Sequence, residues 1–106
     1  MGYATGQWLL DDNVYMTVKS GAWRYLSNQV DPDRQILVFL RGQLGNQPKE
    51  SWVVSVTSRS DLPEEAESQG FIGVLGKYPF LVVQRPHLHE LDGQTLNLKA
   101  GELVLA

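Results

Sequence analysis

Apolar residues follow two different patterns along this chain, and together the two predict most of its strands. In Val14-Tyr15-Met16-Thr17-Val18-Lys19 apolar and polar positions alternate, so Val14, Met16 and Val18 share one face of a half-buried strand. In Ile36-Leu37-Val38-Phe39-Leu40 there is no alternation. Successive apolar residues set between Asp31-Pro32-Asp33 and Gly42-Gln43-Leu44-Gly45-Asn46-Gln47-Pro48 predict a strand buried on both faces, at the centre of the fold. Aspartate in place of Val38 is expected to unfold the domain by burying an unpaired charge.

Further strands follow from the same reasoning. Trp52-Val53-Val54-Ser55-Val56-Thr57 is rich in β-branched residues and is expected to pair antiparallel with the Ile36 strand across the Gly42 to Ser51 loop. Phe71 to Leu75 and Phe80 to Gln84 form a hairpin about Gly76-Lys77-Tyr78-Pro79. Leu88 to Leu91 and Gln94 to Leu98 form another, with Asp92-Gly93 as a type I′ turn, and Leu103 to Leu105 is a last strand. Ala22 to Val30 suits either a short helix after Ser20 or a strand, and the strand is preferred. One helix is expected over 61–69, with Ser60 or Asp61 as its cap, Pro63 in its first turn and Gly70 as its stop. The resulting class is mainly β: a small antiparallel barrel or sandwich of about seven strands with one short helix near residues 61–69. No internal repeat or low-complexity tract interrupts it.

A length of 106 residues sets a single β-rich domain over 1–106, long enough for one core without disulfides or a structural metal. The hydrophobic content of 42% and charged content of 20% are globular values. Nine Lys and Arg against twelve Asp and Glu give a net charge of -3, which disfavours bulk attraction to nucleic acid or an anionic membrane. Zero cysteines exclude a thiol nucleophile and cysteine metal sites, and they suit a cytoplasmic setting. No stretch has the run of roughly 20 apolar residues that a membrane helix needs. The N-terminus lacks the pattern of a secretory signal, so a soluble protein is expected.

Candidate chemistry is sparse. His87 and His89, two apart on an expected strand, would share one face and point at a common ion or substrate. Without a third ligand the structural reading is preferred, and no metal or cofactor is assigned. Asp11-Asp12-Asn13 and Asp31-Pro32-Asp33 lack the spacing of a calcium loop and are read as turns. Gly42 to Asn46 lacks the Lys-Ser/Thr of a phosphate loop. No Gly-x-Ser-x-Gly or Ser-x-x-Lys arrangement is present, and no catalytic residue is assigned.

These observations favour a non-catalytic protein-binding or assembly module, an accessory protein, inhibitor or complex subunit, whose partner is another protein or a second copy. Tyr3, Trp8, Tyr25 and Tyr78 are its candidate contact residues, because aromatic side chains beside turns exceed what the core needs. The acidic run Asp61, Glu64, Glu65 and Glu67 is read as a solvated face, with docking of a basic partner as its alternative. Two other function classes remain open. One is a small-molecule-binding barrel or small enzyme using His87 and His89. The other is single-stranded nucleic-acid binding through aromatic and basic neighbours such as Tyr15 with Lys19 and Lys77 with Tyr78, which the acidic balance disfavours.

Overall fold

The computed structural model describes residues 6–11, 13–42 and 51–105. In chain order these form β1 (Gly6–Asp11), β2 (Val14–Val18), α1 (Ser20–Gln29), β3 (Gln35–Gly42), β4 (Ser51–Ser58), α2 (Ala66–Gln69), β5 (Phe71–Leu75), β6 (Tyr78–Val82), β7 (Thr95–Lys99) and β8 (Glu102–Leu105). Short 3-10 helices stand at Arg59–Asp61 and Arg85–Leu91. The protein is mainly β, as its patterning predicts. Two four-stranded sheets carry the strands, the first in the order β1-β2-β7-β8 and the second in the order β4-β3-β6-β5.

The expectation of purely antiparallel sheets is corrected at the centre of each. Neighbouring strands form antiparallel hairpins, β1 with β2, β3 with β4, β5 with β6 and β7 with β8. The hairpins are then joined through parallel pairs, β2 with β7 and β3 with β6. Partners in a parallel pair lie far apart in sequence, so no turn signal announces them. The connectivity also repeats where the amino-acid sequence does not. Each half runs hairpin, helical crossover, hairpin, and replacing β1 to β4 by β5 to β8 and the reverse converts one sheet's order into the other's.

Three segments depart from their expected conformation. Ala22 to Gln29 is helical, not a strand, with Val30 as its C-cap: Ala22, Trp23 and Leu26 are buried together with Val30, a spacing that follows the helical period of 3.6. The expected hairpin about Asp92-Gly93 is absent. Residues 85–91 wind as a 3-10 helix with Pro86 in its first turn, and Leu88 and Leu91, one 3-10 turn apart, are its buried residues. Asp92 instead ties this helix to β2, its Oδ1 accepting the Tyr15 N–H at 2.9 Å while the Gly93 N–H donates to the Tyr15 carbonyl at 2.9 Å. The helix expected over 61–69 is confined to Ala66–Gln69 because Leu62, which precedes Pro63, is held extended at φ -70 and ψ 137. The strand β1 carries no clear alternation and escaped the sequence reading.

The type I′ turn lies at Ala100-Gly101, between the paired residues Lys99 and Glu102, with φ of 51 and 79. Alanine is strained in that left-handed region, so Ala100→Gly or Ala100→Asn is expected to stabilise the domain by about 1 kcal/mol. Thermal unfolding of the two variants checks this; an unchanged or lower melting temperature in both would contradict the turn geometry. The other expected turn, Asp31-Pro32-Asp33, is closed by Asp31 Oδ1, which accepts the Asp33 N–H at 3.0 Å.

One core takes side chains from both sheets, α1 and the 3-10 helix at 85–91, with Met16, Leu26, Leu37, Phe39, Phe80 and Leu96 fully buried. β3 lies inside its sheet, flanked by β4 and β6, as expected. The expected burial on both faces holds only in part: on the inner face Leu37 and Phe39 are fully buried, while on the outer face Ile36 is buried, Val38 is half-buried and Leu40 is 43% exposed. Leu37 and Phe39 enter the main core, while Ile36 and Val38 face the other way, into a small second cluster with Leu62, Ala66 and Leu81.

Candidate functional site

The outer face of the second sheet is apolar along β3, β5 and β6 and mostly polar along β4. Ile36, Val38 and Leu40 of β3 stand beside Thr57, Ser55 and Val53 of β4 on one side and beside Pro79 and Leu81 of β6 on the other. Ile72 and Val74 of β5 continue the surface beyond Leu81 and Pro79. Strands in a central parallel pair are ordinarily covered on both faces. Here the cover is thin. Residues 59–70 leave the end of β4, cross the face as a strap and rejoin the sheet at β5, with Leu62 and Ala66 packed on Ile36 and Leu81.

The strap leaves a groove on each side. One, of about 450 Å3, is floored by Val38, Leu81 and Val83 and walled by Asp61, Glu65 and Gln69 of the strap. The other, of about 380 Å3, is floored by Ile36, Ile72 and Pro79 and walled by Glu64 and Glu67, with Arg59 among them. Beyond the cover, Leu40, Ile72 and Val74 remain exposed at 43%, 38% and 58%. Exposed apolar side chains on both sides of the strap, edged by charge, are a feature shared with protein contact sites. The sequence reading identified the acidic residues but not the face beneath them, because the strap and the sheet come together only through tertiary packing.

The residues singled out in the sequence lie elsewhere. Tyr3 falls outside the described residues. Trp8 and Tyr78 are brought to the same place by α1: the Trp23 ring meets Trp8 edge-on at 5.0 Å and Tyr78 at 6.3 Å. Trp8 is 39% exposed, whereas Tyr78 is only 4% exposed and serves the core, which corrects the expectation of a surface aromatic there. Tyr25 is apart from these and lines a groove between β4 and β8. Lys77 sits over the buried Tyr78 ring, its Nζ 5.5 Å from the centroid, so that pair does not form an open stacking platform. Tyr15 is exposed and lies opposite Leu9 on the outer face of the first sheet.

His87 and His89 do not share a strand face. Both stand on the 3-10 helix, where residues two apart point in different directions, with His87 half-buried and His89 exposed. His87 Nε2 lies 4.0 Å from Glu90 Oε2, and the same carboxylate oxygen lies 3.2 Å from Arg41 Nε. The Arg41 guanidinium in turn lies over the Trp52 ring, 5.6 Å from its centroid. This arrangement fastens the 3-10 helix to the end of the second sheet. Among the described residues no group of three His, Cys, Asp or Glu is placed to hold a metal ion, and no helix is long and apolar enough to cross a membrane.

Compared with known protein families, curated proteins and solved structures, the chain gives no match.

Proposed function

We propose that the protein is a non-catalytic binding module that docks another protein on the outer face of its second sheet. The observation that carries this reading is the incomplete cover of the second sheet's outer face, which leaves Leu40 of the central β3 and Ile72 and Val74 of the edge strand β5 in solvent beside the acidic strap. Covering such a face removes apolar surface from water at about 25 cal/mol for each Å2, a favourable contribution that a partner must set against the costs of association. We read the two sheets as the layers of a sandwich in which β4 lies against β8 and β1 against β5, an arrangement that makes the second sheet a rigid platform. The small-molecule alternative draws no support from the histidines, which diverge, and none of the three grooves described here is lined by either of them.

The double substitution Leu40→Gln and Val74→Gln tests the reading, because both side chains are exposed and the fold does not depend on them. The variant is expected to keep its melting temperature and to lose a partner's binding by about tenfold or more. Affinity purification from the native host with wild type and variant in parallel, followed by titration of any protein recovered, gives the comparison. A partner retained equally by both proteins would remove this face from the interface, and wild type recovering nothing above a mock would count against the module itself.

A further inference from the structure

We propose that the groove on the Leu40 side of the strap docks a basic amphipathic segment of another protein, with apolar side chains seated on the sheet and Lys or Arg side chains on the strap's carboxylates. This rests on the protein-binding reading above and adds the partner's chemistry. The floor is mostly apolar, with Val38, Leu81 and Val83 joined by Thr57 at its β4 side, and Leu40 extends it along β3 with 43% of its surface exposed. The charged residues lining the groove are Asp61 and Glu65, both acidic and both exposed. The groove across the strap differs: there Arg59 stands with Glu64 and Glu67 and offsets part of their charge. The same wall turns away other occupants. A second copy of this chain carries a net charge of -3 and, docked through the same face, would bring its own acidic strap to the contact, while an acidic segment or a phosphate backbone would meet like charge.

Burial of the apolar floor supplies the affinity, and the carboxylates select the partner and set its orientation. Exposed ion pairs are individually weak, each changing affinity by about twofold to fivefold. The discriminating experiment therefore varies charge at constant hydrophobic content. Isotope-labelled whole protein is titrated by NMR with synthetic peptides of equal length and leucine content whose polar positions are all lysine, all glutamine or all glutamate. The lysine peptide is expected to shift the amides of Val38, Leu40, Leu81 and Val83 and to weaken at high salt. It should also bind Asp61→Asn/Glu65→Gln protein about fivefold to tenfold more weakly, while the glutamine peptide binds that variant as it binds wild type. Equal binding of all the peptides at these residues would overturn the charge selection and leave the protein-docking reading standing. Absence of shifts at these residues with every peptide would overturn both. Shifts at the same amides on concentrating the protein alone would make a second copy the occupant and overturn the inference.

Discussion

Leu37→Asp protein is expected to be unfolded under conditions where wild type is fully native, whereas the same change one residue later, Val38→Asp, leaves a folded but weaker domain. Leu37 has no exposed surface and sits between Val56 and Phe80 on the inner face of its sheet. An aspartate there loses the transfer free energy of a buried leucine, about 2–3 kcal/mol, and adds a desolvation penalty of several kcal/mol for a carboxylate with no partner. For a domain of this length total stability is of order 5–15 kcal/mol, so the sum consumes most or all of it. Val38 faces the Leu40-side groove and is only half-buried, so its aspartate reaches water at a cost of about 1–3 kcal/mol. That corresponds to a melting temperature lower by roughly 5–20 °C for a domain of this size. The expectation drawn from the sequence, that aspartate at Val38 unfolds the domain, is revised accordingly. Far-UV circular dichroism with urea unfolding distinguishes the two variants; similar stabilities would mean that the two faces of β3 are not as different as the packing indicates.

The same strand shows how far the sequence reaches. An unbroken apolar run from Ile36 to Leu40 announces a central strand, and its antiparallel pairing with the Trp52 to Thr57 segment was legible too, whereas the register of that pair is seen only in the structure. The run does not say what covers each face. Leu37 and Phe39 meet a large core, while Ile36 and Val38 meet a strap whose sequence, read alone, is an acidic surface helix. Local signals likewise failed where two conformations compete for similar residues. Leu88 and Leu91, three apart, suit a 3-10 turn as well as a short strand, and Asp92-Gly93 served to bond Tyr15 of β2, a residue that no sequence neighbourhood brings near. The aromatic residues were visible as a set but not by role. Trp23 gathers Trp8 and Tyr78 through α1, and the choice of helix over strand for that segment decides which of them reach the surface.

Gly70→Ala is expected to lower stability by about 2–3 kcal/mol and to release the strap, the second large effect. Gly70 ends α2, its N–H donating to the Ala66 carbonyl at 3.0 Å, and is buried where the chain turns down onto the sheet. Its φ of -104 is open to any residue, so the demand for glycine here is steric and not conformational. A Cβ at this position would stand 2.4 Å from the Val82 carbonyl oxygen and 2.8 Å from that of Ala66, neither of which can swing aside, and 2.9 Å from Leu81 Cδ1. Relief requires the strap to lift from β6, which uncovers Ile36 and Leu81 and breaks the small cluster that Ala66 completes. The main core does not pass through that cluster, so the loss should be local before it is global. Hydrogen exchange is expected to accelerate first at the amides of 66–70, with β2, β3 and β7 still protected, and the apolar face left bare should bind a hydrophobic dye and promote association. A variant within about 0.5 kcal/mol of wild type, or one whose protection falls evenly across both sheets, would contradict a strap held by close approach at Gly70. The distinction bears on binding, since both grooves, the proposed docking groove among them, exist only while the strap stays down and carries its carboxylates beside the exposed sheet.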